Sequence, residues 1–139
     1  MSIRTLGVAL FSIWAAGAAA QDERSVKDGV YSEAQARRGE VVYAEQCANC
    51  HGEGLEGIDM SPPLVGSTFS SNWNTLTVGD LFDRIRTTMP IDRPGTITPQ
   101  QNADVIAYML MANQYPAGSG ELPNTVTSLK TIKIEPVVH

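Results

Sequence analysis

The stretch Cys47-Ala48-Asn49-Cys50-His51 decides how this chain is read. The chain has only two cysteines, three positions apart, which is too close in sequence for the disulfide framework of a small secreted scaffold. A zinc site needs more ligands than Cys47, Cys50 and His51, and the only other histidine is His139 at the chain end. A thioredoxin-like pair follows a strand and sits among βαβ units, whereas these cysteines close a helical pattern. In an exported protein, C-x-x-C-H is the attachment signal of c-type haem. The two thiols add to the two haem vinyl groups, and the next residue places an imidazole at the iron. A dithiol redox centre and a metal site stay open as alternatives.

Export is itself legible. Met-Ser-Ile-Arg supplies one positive charge, Thr5 to Gly17 is an apolar run, and Ala18-Ala19-Ala20 fits an A-x-A cleavage site. Residues 1–20 are therefore expected to be a cleaved secretory signal. The apolar run is shorter than the roughly 20 residues that span a bilayer, and polar Gln21-Asp22-Glu23 follows at once. No later segment is apolar enough to span, so the expectation is a periplasmic protein without an integral membrane segment after signal cleavage. The 139 residues, 42% hydrophobic and 18% charged, leave room for one domain. Ten Lys and Arg against fifteen Asp and Glu give a net charge of −5, the reverse of a nucleic-acid binder's balance. No catalytic triad, paired-carboxylate pocket or phosphate-binding Gly loop stands out.

Outward from the motif, the pattern predicts an all-α fold of about three main helices with long loops. Ser32-Glu33-Ala34-Gln35 has capping-box form and predicts a helix over about 33–46. Thr77-Val78-Gly79-Asp80 repeats the signal more weakly, with Leu81, Phe82 and Ile85 on one face, and that helix ends near Thr88 because Pro90 forbids continuation. Thr98-Pro99-Gln100-Gln101 opens a third helix whose stripe is Val105, Ile106, Met109 and Leu110, stopping before Pro116. Residues 52–74, rich in Gly, Ser and Pro, read as a long loop that a bound cofactor would have to hold. The tail, through Thr125-Val126-Thr127 and Ile132-Lys133-Ile134, alternates enough for a short extended segment that wraps the domain.

These residues resemble a class I, monohaem cytochrome c, over about Ala34 to Tyr115. The resemblance implies a fold in which long loops wrap one covalently bound haem c. It implies that the N-terminal helix crosses the C-terminal one at Gly39, with Tyr43 and Tyr108 filling the contact. The chain then divides into a signal (1–20), an N-terminal extension (21–31), the cytochrome c domain (32–116) and a C-terminal extension (117–139). The family's commonest axial pair is His/Met, with a thioether raising the reduction potential. Beside His51, Met89 in Thr87-Thr88-Met89-Pro90 is similar to the family's distal-ligand motif. Met60 is the next candidate, only nine residues beyond His51. Met109 and Met111 lie within the last helix, and Met1 leaves with the signal. Pro62-Pro63-Leu64-Val65-Gly66 resembles the family's P-x-L-x-G segment, which assigns the Pro62 carbonyl to the proximal imidazole. By the same resemblance, Trp73 donates to a haem propionate, with Arg86 and Arg93 as further partners.

With both axial positions filled, the expected function is electron transfer by a periplasmic carrier or subunit and not catalysis. The alternative is a haem enzyme or gas sensor with a displaceable distal ligand. The segments 89–95 and 98–110 are similar to cytochromes that accompany bacterial quinoprotein (PQQ) dehydrogenases. That similarity implies redox partner proteins, a quinoprotein alcohol or sugar dehydrogenase as donor and a terminal oxidase as the eventual acceptor. Residues 22–59 hold nine acidic and four basic side chains around the haem motif, a charge that can orient a basic partner.

Overall fold

The structure, a computed structural model, describes residues 22–136, so the expected signal at 1–20 and His139 lie outside it. In chain order the elements are β1 (Arg24–Ser25), a 3-10 turn (Val26–Asp28), α1 (Glu33–Gln46) and α2 (Ala48–His51). Then come α3 (Gly66–Trp73), α4 (Val78–Thr88), α5 (Pro99–Ala112), α6 (Val126–Leu129) and β2 (Ile132–Lys133). The architecture is helical, and α1, α4 and α5 fall where the capping signals put them. Thr77 and Thr98 each accept the N3 backbone N–H while the Asp80 and Gln101 side chains accept from the cap residue, so both boxes close. No helix among the described residues is long and apolar enough to cross a membrane.

Four features correct the sequence reading. The expected loop over 52–74 ends in helix α3, whose Gly, Ser and Asn content has poor helix propensity but which anchors itself by burying Phe69. The tail is a helical turn at Val126–Leu129 and extended only at Ile132–Lys133, the second of the two places where alternation predicted it. The all-α expectation left out a two-stranded sheet, in which Arg24 pairs with Ile132 and Ser25 with Lys133 in parallel. The partner strand, Arg24–Ser25, is too short to show a period. Finally, Ser32 caps α1 by accepting the Gln35 N–H, but the Gln35 side chain does not return the bond. It is buried and pairs with a distant backbone: Gln35 Nε2 donates to the Leu122 carbonyl at 3.1 Å and Leu122 N–H donates to Gln35 Oε1 at 2.7 Å.

The largest interhelical interface joins α1 and α5. It is close because position 39 has no side chain: a Cβ there would collide with the Asp104 carbonyl and stand 2.9 Å from the Val105 nitrogen. One turn on, the Tyr43 and Tyr108 rings pack at a centroid separation of 5.3 Å, tilted by 53°. Arg38 ties the crossing to the tail, donating to the Asp104 carboxylate at 3.1 Å and to Glu121 at 2.8 Å. Helix α5 is buried nearly all round, beyond the single stripe expected of it, because α1 and α4 both pack against it. Leu122, Leu129, Ile132 and Ile134 bring the tail into the same core as α1, α4 and α5.

Candidate functional site

The cysteine-histidine motif forms the single turn α2 directly after α1. Its backbone is closed by His51 N–H to the Cys47 carbonyl at 3.0 Å and Gly52 N–H to the Ala48 carbonyl at 2.9 Å. Tyr43, buried in the α1–α5 contact, donates its hydroxyl to the Gly52 carbonyl at 2.6 Å and so fixes the end of this turn to the helix crossing. Burial holds the Tyr43 hydroxyl well above its ordinary range, and it stays a donor at any working pH. Cys47 and Cys50 are free thiols. Burial first, then the neighbouring Cys50, pushes the Cys47 thiol up to about 11.

After the motif the chain doubles back. Gly57 N–H donates to the His51 carbonyl at 2.8 Å and Leu64 N–H to the Leu55 carbonyl at 2.8 Å. Gly57 takes φ +79°, and a Cβ there would meet the Ser61 oxygen at 2.6 Å and the Pro63 nitrogen at 2.7 Å, so no other residue fits this turn. The turn brings the Pro62 carbonyl to 2.9 Å from His51 Nδ1. A carbonyl only accepts, so Nδ1 is the donor in this contact, and the neutral tautomer that fits it is the one with its lone pair on Nε2. Asn113, at the end of α5, holds the following segment: its Nδ2 donates to the Leu64 carbonyl at 2.9 Å, and its Oδ1 accepts from Gly66 N–H at 2.9 Å.

Cys47, Cys50, His51, Pro62, Trp73 and Met89 all line one cavity of about 970 Å³. Met89 reaches it as the C-cap of α4, where the helix gives way to extended backbone and the peptide to Pro90 is cis. Leu64, Leu81, Ile85, Val105 and Met109 supply apolar wall from the loop, α4 and α5. Met60 also lines the cavity but is 97% exposed, and it lies two residues before the carbonyl that binds Nδ1, the side of the imidazole away from Nε2. Among the described residues no three His, Cys, Asp or Glu side chains gather to hold a bare metal ion.

Of the two arginines singled out from the sequence, Arg93 lines the cavity and donates to the Gln46 side chain at 2.9 Å. Arg86 instead pairs with Asp83 at 2.5 Å, one helical turn away. The second guanidinium on the cavity belongs to Arg84, which sequence reasoning missed. Its spacing of three residues from Leu81, on the same side of α4, was the available signal. Asn113 and the Tyr43–Gly52 bond were also missed, and for Asn113 no local signal exists.

The comparisons with known proteins address the fold and the family. No curated protein matches the chain. Among solved structures, a chain in the crystal structure of the sulfane dehydrogenase SoxCD from Paracoccus pantotrophus is similar, at 20% identity and a TM-score of 0.56. That match spans 93% of this chain and 68% of the other, and at this identity it speaks for the fold alone. Residues 34–109, which carry the motif, the cavity and the α1–α5 crossing, match the family described as cytochrome C oxidase, cbb3-type, subunit III. The chain belongs to that family, and so to the broader group of redox proteins of cytochrome type.

Proposed function

We propose that this protein is a periplasmic electron-transfer protein that carries one covalent c-type haem with His51 and Met89 as axial ligands. The observation that carries the reading is the convergence of two thiols, an imidazole with Nε2 free and a thioether on one largely apolar cavity. Its volume, about 970 Å³, is at the upper end of the range for small-molecule and cofactor sites. The donor set fits haem c. Cys47 and Cys50 would hold it through two thioethers, each formed by addition of S–H across a vinyl double bond with no leaving group. When bound, the haem supplies a one-electron ferric/ferrous couple.

The chain's own residues do the rest. The Pro62 carbonyl accepts from His51 Nδ1–H, which fixes the ring and strengthens Nε2 as a donor. Met89 supplies the soft sulfur that favours the reduced state. Leu64, Leu81, Ile85, Val105 and Met109 exclude water from the cavity and lower its local dielectric. Arg84, Arg93 and Trp73 line the same cavity, where the two guanidinium groups would supply cations, and the indole a donor, for the two propionates. With His51 and Met89 both holding the iron, the site would move electrons and leave no open position for substrate. Residues 1–20 direct export and are removed, and the mature domain takes electrons from a periplasmic dehydrogenase, of which a quinoprotein alcohol or sugar dehydrogenase is one type. It passes them toward the respiratory chain, as the subunit description of its family suggests.

The test is an optical spectrum of protein expressed with a working haem-attachment system, for the parent, Met89→Ala and Met60→Ala. The parent and Met60→Ala show c-type reduced bands and the weak long-wavelength sulfur-to-iron band when oxidised, and ignore carbon monoxide when reduced. Met89→Ala loses that band and binds the gas. A parent that binds carbon monoxide readily makes ligand sensing or catalysis the better reading, and a colourless parent ends the haem reading.

A further inference from the structure

The mouth of the cavity is more apolar than a solvated surface needs to be. Met60, 97% exposed, and Ile91, 78% exposed, both line it, and Ile58, 45% exposed, stands two residues before Met60 in the same tight turn. That turn is pinned beside the motif by Gly57 N–H on the His51 carbonyl and by the bridge of Ile58 with Ser61. Exposed apolar side chains on the lining of one cavity mark a candidate interaction surface.

Charge selects the partner. From Gly39 to Asp83 the chain has no Lys or Arg, while Glu45, Glu53, Glu56 and Asp59 stand exposed around the motif and its turn. Among the described residues, none of these four carboxylates takes part in an ion pair, and neither do Asp22, Asp28, Glu33 and Glu135, whereas those at 23, 40, 80, 83, 92, 104 and 121 do. Of the two arginines on the cavity, Arg84 stands on α4 and Arg93 donates to Gln46 at the end of α1. Neither forms an ion pair with Glu45, Glu53, Glu56 or Asp59, so the turn after the motif keeps its negative charge.

We propose that the apolar mouth at Met60 and Ile91, with its acidic flank beside α2, docks a redox partner whose electron-exchange face sets lysines and arginines around an apolar patch. This rests on the electron-transfer reading above. The apolar centre supplies contact area and the acidic flank steers approach and sets orientation.

The test uses the reduced holoprotein and two one-electron oxidants, the cationic, aromatic tris(phenanthroline)cobalt(III) and the anionic ferricyanide. Each takes one electron from the protein, cobalt(III) becoming cobalt(II) or the iron(III) complex becoming iron(II), with no atom transferred. Stopped-flow rates are followed as the Debye length shrinks from about 30 Å to about 3 Å with added salt. The cobalt rate falls with salt and the ferricyanide rate rises. In Glu45→Gln/Glu53→Gln/Glu56→Gln/Asp59→Asn, the cobalt rate at low salt drops about tenfold and its salt slope flattens. Glu33→Gln removes one charge about 18 Å along α1 from Glu45, and it changes the cobalt rate less than Glu45→Gln does. The absorbance spectrum and melting curve of each variant certify its fold.

A cobalt rate that is flat or rises with salt, a quadruple variant that behaves as the parent, or equal effects of the two single variants overturns the proposal. Sedimentation that shows a dimer lost in Met60→Ser assigns the patch to a second copy, and likewise overturns it. A colourless preparation removes the electron-transfer reading itself, whereas a coloured one with the wrong slope removes only the docking surface.

Discussion

Replacing Gly39 by alanine tests the helix crossing on which the site is built. The added Cβ would collide with the Asp104 carbonyl and approach the Val105 nitrogen, all backbone atoms of the buried helix α5, which cannot swing aside as a side-chain tip would. Inserting a methyl into a packed contact costs about 1–3 kcal/mol, and a backbone obstacle places this case in the upper part of that range. Alanine returns up to about 1 kcal/mol through helix propensity, leaving a net loss of about 2 kcal/mol. For a domain of this size that is a fall of roughly 8 °C in the thermal midpoint. The assay is far-ultraviolet circular dichroism melting of the purified holoprotein, with Val41→Ala, on the exposed face of α1 at 59% exposure, as the control. A Gly39→Ala protein that melts at or above the parent would refute the reasoning, because propensity would then outweigh the crossing.

Three further outcomes follow from the same geometry. Gln35→Ala strands the buried Leu122 N–H and carbonyl. It should cost about 2–4 kcal/mol and open the tail over 117–136 to limited proteolysis before the rest of the chain is cut. Tyr43→Phe removes only the hydroxyl donor to the Gly52 carbonyl, and should lower stability by about 1–2 kcal/mol in denaturant titration while the Tyr108 packing survives. The Thr77 hydroxyl and backbone N–H, with Lys130, hold the Asp80 carboxyl below the usual carboxylate range. A carboxyl with a depressed folded pKa contributes stability above its unfolded pKa and loses it as pH falls through the folded value. Melting midpoints should therefore drop on acidification below about pH 4, and Asp80→Asn should flatten that part of the profile.

The local sequence determined by itself the motif at 47–51 and the long helices over 33–46, 78–88 and 99–112, while the crossing at Gly39 came from the family resemblance. The motif and the helices are each written within a few consecutive residues: a cap and its N3 partner, a stripe at helical spacing, two cysteines flanking one turn. The exception among the caps is instructive. Ser32 and Gln35 have the spacing of a reciprocal pair, yet Gln35 turns inward, because a buried carboxamide that satisfies both polar groups of Leu122 outweighs one exposed bond at a helix start.

What only the tertiary structure decided is which distant groups complete the site. Asn113 reaches back 49 residues to the Leu64 carbonyl, and Arg93 donates to Gln46 across 47. Arg84, and not Arg86, is the second cation on the cavity. Helix α3 likewise forms because Phe69 finds a core to enter, against the propensity of its Ser, Gly and Asn residues. Capping and periodicity are local energies that each segment carries with it, whereas these pairings exist only once α1 and α5 have crossed and brought separate parts of the chain within bonding distance.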